Sequence, residues 1–237
     1  MTTQQIIAMG GGGFSQEPRN LALDRYILEQ AHKPDPAVTF LGQASGDSDT
    51  YITNYYTAFR QLGCRPSHLS LFKPHTADIE GFLMEQDVIY VGGGNTRSML
   101  ALWREWEVDI ILRNALEAGI VLAGISAGAN CWFRYATTDS IPFELNAIAC
   151  LGFIDASCSP HYDSEGERRP RHHELLKAGK LTDGYGLDEG AALHFVDGQI
   201  LRAVASRPYS QVYRVELHDG AVTEDVLPIT RLSPYRP

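Results

Sequence analysis

The chain is short of positive charge. Lys and Arg number 20 against 29 Asp and Glu, giving a formal net charge of -9 and a pI near 5.3. A phosphate backbone is held mainly by Lys and Arg, so this balance argues against a nucleic-acid partner and points to a small substrate. Cysteine is scarce as well. Cys64, Cys131, Cys150 and Cys158 show no Cys-x-x-Cys spacing, and three of them sit in apolar surroundings. Buried reduced thiols are therefore expected, rather than disulfides or a zinc site. No apolar run approaches membrane-spanning length, and the opening MTTQQIIAMGGGG lacks a basic segment leading into an apolar one. A cytoplasmic location without a membrane partner is the expectation. Linkers, internal repeats, low-complexity tracts and long charge blocks are also missing. With 237 residues, 44% of them hydrophobic and 21% charged, one domain over 1–237 is expected.

What is present is an alternation of short apolar runs with helical segments. QIIAMG, AVTFLGQAS, HLSLF, DVIYVGGGN and IVLAGIS read as buried strands. Between them, RNLALDRYILEQA, DTYITNYYTAFRQLG and the long TRSMLALWREWEVDIILRNALEAG have apolar residues at helical spacing, the second closed by Gly63. This alternation predicts an α/β fold: a three-layer, doubly wound, mostly parallel sheet with crossover helices on both faces. From about Leu151 onward, Asp-Gly turns separate strand-like runs, which predicts C-terminal β-hairpins extending the sheet.

In such sheets, ligands bind beyond the carboxyl ends of the strands. Three loops there are unusual: GGGGFS, GGGNT and GISAGAN. The first two fit neither Gly-x-Gly-x-x-Gly nor the Gly-Lys-Ser/Thr ending of a nucleoside-triphosphate loop. For Gly10 to Gly13 a plain tight turn is the better reading. The third matches Gly-x-Ser-x-Gly from Gly124 to Gly128, the nucleophile elbow, with an apolar strand before it and AGANCWFRYA able to begin a helix after it. A helix starting there would turn backbone N–H groups toward an oxyanion beside Ser126.

A serine nucleophile needs a base, and the chain has eight histidines. His161 stands out, because DASCSPHYDSEG places it after a strand-like run and the rigid Pro160, in the same set of loops. YGLDEGAAL then offers Asp188 and Glu189 before a glycine at the next loop. An α/β-hydrolase would instead run serine, acid and a late histidine, making His194 or His218 the base.

The motifs VGGGNT, GISAGAN, SPHY and GLDEG, in that order between Val91 and Gly190, resemble the peptidase E family of serine dipeptidases. The resemblance implies a flavodoxin-like sheet related to class I glutamine amidotransferases, with serine in place of the nucleophilic cysteine. It implies Ser126 as nucleophile, His161 as general base and Glu189 as the triad acid, with Asp188 as a substitute. It further implies the N–H groups of Ala127 and Gly94 as oxyanion donors, Asn95 with Arg169 and Arg171 as substrate-binding residues, and no cofactor or metal. The family is best known for dipeptides that begin with aspartate, and a carboxylate side chain calls for a paired arginine contact. Arg169 falls closest to the family's arginine, with Arg168 and Arg171 beside it. The segment from His161 to Gly166 is shorter than in the aspartyl dipeptidases, Pro170 follows Arg169, and Ser140 stands where those enzymes carry an aspartate. Asp47 and Asp49 could meet a free amino terminus, although a helix-start signal explains them better. The expected partners are a small peptide and, at most, a second copy of the chain in a homodimer. An esterase, a cyanophycinase-like enzyme and a non-catalytic module of the same fold are the competing readings.

Overall fold

A computed structural model describes residues 2–235; Met1, Arg236 and Pro237, which fall within the expected single domain, lie outside the described residues. The first half alternates as read from the sequence, except that the third strand is RPSHL rather than a buried HLSLF: it lies at the edge of the sheet, and of its residues only Leu69 is buried. In chain order it runs β1 (Gln5–Met9), α1 (Gly13–Gln16), α2 (Ala22–Glu29), β2 (Ala37–Leu41), α3 (Asp49–Phe59), β3 (Arg65–Leu69), α4 (Ile79–Met84) and β4 (Val88–Val91). It continues through α5 (Thr96–Glu105), α6 (Val108–Glu117), β5 (Val121–Ile125) and α7 (Ala127–Asn130). β1, β5, β4, β2 and β3 are neighbours in that order and pair in parallel.

Residue alternation along these strands feeds two cores, one on each face. Ile7 and Met9 pack with Phe14, Ile27, Phe40 and Phe59 under α1, α2 and α3. Ile6 and Ala8 point the other way, into a core with Met99, Trp103, Leu112 and Trp132. A period of two along each strand, with helices covering both faces, is what makes the three layers.

From α5 onward the chain departs from expectation in three ways. The long helical segment is two helices, because Glu107 adopts a left-handed φ of 56° between α5 and α6. The helix after the elbow lasts one turn. Trp132 and Phe133 are fully buried, and the chain enters a strand at once to bury them. Third, the later strands form a second sheet rather than only extending the first. These strands are β6 (Phe133–Ile141), β7 (Glu144–Ala149), β8 (Ile154–Ser159), β9 (Gly184–Leu187), β10 (Ala191–Val196), β11 (Gln199–Ala205), β12 (Val212–His218), β13 (Ala221–Val226) and β14 (Ile229–Arg231), with α8 (Arg168–Lys177) between β8 and β9. The hairpin β10–β11 and then β14 extend the first sheet beyond β1, giving eight strands. The hairpin β12–β13 joins the second sheet, ordered β13-β12-β9-β8-β6-β7. There β6, β8 and β9 are parallel neighbours, so β8 and β9 also deliver loops from their carboxyl ends. The two sheets are tied where those loops meet: His161 N–H donates to Gly10 O at 3.1 Å, and Gly190 N–H to Gly11 O at 3.0 Å.

Candidate active site

Five loops converge at that junction, from the carboxyl ends of β1, β4, β5, β8 and β9. Ser126 follows β5 with φ 57° and ψ -112°, a conformation that L-residues avoid and that storing it costs of order 1–3 kcal/mol. Packing enforces it. A Cβ on Gly128 would lie 2.2 Å from Val91 O, so the turn can press against β4 only with glycine there. The single turn of α7 carries little macrodipole, but Ser126 is its N-cap and the Ala127 N–H has no acceptor among the described residues.

Ser126 Oγ lies 2.8 Å from His161 Nε2, and His161 Nδ1 lies 3.3 Å from Glu189 Oε1. With the proton on Nδ1, the ring donates to the carboxylate and accepts from the serine. His161 is only 9% exposed, so its ring is held rather than tumbling in solvent. Glu189 Oε1 also accepts from Ser164 Oγ at 3.0 Å and Gln16 Nε2 at 3.3 Å, while Oε2 accepts from Arg207 Nη1 at 3.2 Å. Burial pushes this carboxyl up, but the bonds from Ser164 and His161 and the charges of His161 and Arg207 outweigh it. The net shift is below the ordinary glutamate value.

Asp188 does not share this arrangement. It is buried, its Oδ2 accepts from Gln211 N–H at 2.8 Å, and its Oδ1 has no partner among the described residues. Burial is the main reason its carboxyl is pushed up to about 6, against the lowering by the Gln211 bond. The structure thus brings Glu189, not Asp188, to His161.

The glycine loop after β4 closes the other side. A Cβ on Gly93 would sit 3.3 Å from Ser126 Cβ, which puts this loop in contact with the serine. Gly93 N–H is taken by Tyr51 Oη at 3.2 Å. Gly94 has φ 137°, a Cβ there would strike Ala44 O at 2.2 Å, and its N–H has no acceptor among the described residues. Asn95 is committed elsewhere: its Oδ1 caps α5 by accepting from Ser98 N–H at 2.9 Å, and its Nδ2 donates to Ser140 O at 2.9 Å.

The arginines are not aimed at the serine. Arg169 is paired through Nε and Nη2 with Glu224 of β13, and its guanidinium lies 4.7 Å from the Tyr213 ring centroid and 5.4 Å from that of Tyr162. His173 and Tyr162 Oη bind the same carboxylate. Arg171 donates to Leu145 O at 2.9 Å and Glu174 Oε2 at 2.8 Å, and lines a cleft of about 620 Å³ whose walls include none of Ser126, His161 or Glu189. Arg168 is buried, bonded to Glu165 and to Thr137 O. Asp47 braces its own loop, accepting from Ser70 Oγ and Leu71 N–H, each at 2.8 Å, and Asp49 lies exposed in the first turn of α3. The late histidines stay apart from Ser126. His194 is buried against Tyr26 Oη at 2.8 Å, and His218 is exposed beside Glu216.

Some site residues carry no sequence signal. Gln16, Ser164 and Arg207 meet at Glu189 from three distant segments, and nothing in their local sequence announces it. The Gly10 to Gly13 turn, read as a plain turn, is a wall of the site. A Cβ on Gly11 would sit 2.7 Å from Glu189 Cγ and 3.2 Å from His161 Nδ1. All four cysteines are unpaired, and no group of three His, Cys, Asp or Glu among the described residues could hold a metal ion. No helix among those residues is long and apolar enough to cross a membrane.

Comparison with known proteins shows what the chain is similar to. The model for peptidase family S51 matches residues 6–203. An uncharacterized peptidase of Bacillus subtilis, YgaJ, is 53% identical over 229 residues, 97% of this chain and 99% of its own. A probable alpha-aspartyl dipeptidase of Drosophila melanogaster is 30% identical over 206 residues, 83% of this chain and 82% of its own. Further bacterial relatives carry the name peptidase E. Among solved structures, a peptidase from an acI-B1 Actinobacterium superposes with a TM-score of 0.69 over 98% of this chain and 97% of its own. At 18% identity that likeness speaks for the fold alone.

Proposed function

The chain belongs to peptidase family S51, the family of peptidase E, and on that premise we propose that it hydrolyses dipeptides or short peptides from the amino-terminal end by a serine mechanism. The observation that carries this reading is the 2.8 Å contact between Ser126 Oγ, on a strained elbow, and His161 Nε2. Ser126 Oγ attacks the peptide carbonyl as His161 takes the hydroxyl proton, and the imidazolium so formed is stabilised by Glu189. The N–H groups of Ala127 and Gly94 are the proposed donors to the tetrahedral oxyanion, each worth on the order of 3 kcal/mol in such a site. Collapse breaks the C–N bond, and His161 returns its proton to the leaving amine. Water then attacks the acyl-enzyme with His161 again as base, releasing the acid and restoring Ser126.

Aspartate as first residue is the narrower reading, and the name of the Drosophila relative is what supports it. The pairing of Arg169 with Glu224 does not favour it, since that guanidinium already holds a carboxylate. An esterase using a late histidine gains no support from His194 or His218, which are engaged elsewhere.

The test is hydrolysis of a panel of dipeptides and short peptides that vary the first residue, with Ser126→Ala as blank. Cleavage lost in the blank is the expected result. Equal cleavage by both proteins would end the serine reading. Restriction to Asp-initiated dipeptides would support the narrower specificity and require a carboxylate receptor other than Arg169.

A further inference from the structure

Arg207 reaches the site from the loop after β11, and no motif marks it. Its Nη1 donates to Glu189 Oε2 at 3.2 Å, while its Nε donates to Glu17 Oε1 at 2.8 Å. The stem of the side chain lies on Gly190, where a Cβ would approach Arg207 Cγ to 2.7 Å. The backbone carbonyl of Arg207 accepts from Arg231 Nη1 at 2.9 Å. This guanidinium is therefore fixed at both ends, with two-thirds of its side chain out of solvent.

The division of labour on Glu189 is informative. Among the described residues, His161, Ser164 and Gln16 all use Oε1, and Arg207 alone uses Oε2. A glutamate carboxylate turns easily about its last bond, because that torsion is broad. Pinning Oε2 keeps Oε1 within reach of the imidazole. We infer that Arg207 is a positioning residue for the serine site: it fixes the Glu189 carboxylate toward His161 and offsets the negative charge collected around that ring. The inference rests on the proposed reading of Ser126, His161 and Glu189.

The charge count gives the inference a sign. The ionisable groups facing His161 and Glu189 among the described residues are Asp163, which accepts from Glu189 N–H, Glu17, which Arg207 pairs, and Arg207 itself; the carboxylate of Glu165 is turned to Arg168 and that of Asp188 to Gln211 N–H. Arg207 is the cation among them. Removing it makes the field at His161 more negative and favours a protonated ring, so the catalytically competent neutral ring forms only at higher pH.

The experiment compares Arg207→Gln, Arg207→Lys, Glu189→Gln and Ser126→Ala on a peptide that the wild-type protein cleaves. It measures kcat and KM across pH, with thermal unfolding on the same samples. The inference expects Arg207→Gln to lower kcat about tenfold, to change KM less than about threefold, and to move the acid limb of kcat/KM up by about half a unit or more. Arg207→Lys should restore the position of that limb, since it keeps the charge, while recovering kcat only in part, since it loses the guanidinium's fixed fork. An unmoved limb in Arg207→Gln, or the same limb in the Gln and Lys variants, overturns the inference, whatever happens to the unfolding temperature. Should Arg207→Gln fail to fold, the Lys variant decides alone: a wild-type limb with reduced kcat supports positioning, and wild-type kcat overturns it. Failure of the underlying reading looks different, because Ser126→Ala or Glu189→Gln would then keep wild-type activity.

Discussion

His161 and Tyr162 are neighbours in the chain, and each reaches a glutamate brought from elsewhere. The first meets Glu189 from the loop after β9, and the second meets Glu224 from β13. Glu224 is saturated: Arg169 pairs with both of its oxygens, while Tyr162 and His173 bind one of them, and its side chain is 12% exposed. The Glu189 cluster is looser, with contacts of 3.0–3.3 Å, and its histidine turns its second nitrogen to an intermediate-exposure serine. One cluster closes on itself and fastens α8 to the C-terminal hairpin. The other leaves a serine hydroxyl at its open end, as the proposed proton transfer requires.

The contrast breaks first at the serine. Replacing Ser126 by Ala should reduce kcat/KM for the best peptide on the order of 10⁴-fold or more, with the unfolding temperature nearly unchanged. Steady-state assays at high enzyme concentration would show it. Next comes Glu189→Gln, which should cost about 10³-fold in kcat because the amide can hold the ring in the wrong tautomer. Asp188→Asn, one position away, should leave kcat within a few-fold, and equal losses in the two variants would erase the distinction drawn between them.

The closed cluster should respond in stability instead. Glu224→Gln leaves Arg169 without its counter-charge. It should cost about 2 kcal/mol in denaturant unfolding, less than a fully buried pair because Arg169 is 43% exposed, and leave kcat within a few-fold. Acid works in the same direction. Glu224 is held below the ordinary glutamate value because the bonds from Arg169, Tyr162 and His173 outweigh burial, which by itself would raise it. The stabilisation is therefore present above the unfolded value near 4.5 and is lost as pH falls through the lower folded value.

Asp188 has the opposite sign and the smallest effect. Its carboxyl is raised from 3.8 to about 6, so stability is highest below the unfolded value and declines as pH rises toward 6. Asp188→Asn should remove that decline and gain about 1 kcal/mol at pH 8, read from unfolding curves at pH 4, 6 and 8.

The sequence made most of the first half of the fold readable, because each of its parallel strands except the edge strand β3 is an apolar run ending in glycine or in the elbow, and the helices between them keep one apolar face. It did not announce the second sheet. CWFRYATTDSI follows the elbow with no turn residue to end a helix, and only the burial of Trp132 and Phe133 turns it into β6. Ser126, His161 and Glu189 sit in loops with strong local signatures and come together in space. Arg169 was readable as a charge but not as a destination, because its partner Glu224 lies 55 residues later in a hairpin with no motif. Arg207 and Gln16 were silent for the same reason. A hydrogen bond across the chain leaves no trace in local composition.

The most direct measurement of the central claim is covalent labelling with a fluorophosphonate, followed by peptide mapping by mass spectrometry. The account predicts one adduct, on Ser126, that disappears in Ser126→Ala and forms far more slowly in His161→Ala. Labelling of another serine, or no labelling of a protein that still cleaves peptides, would contradict it.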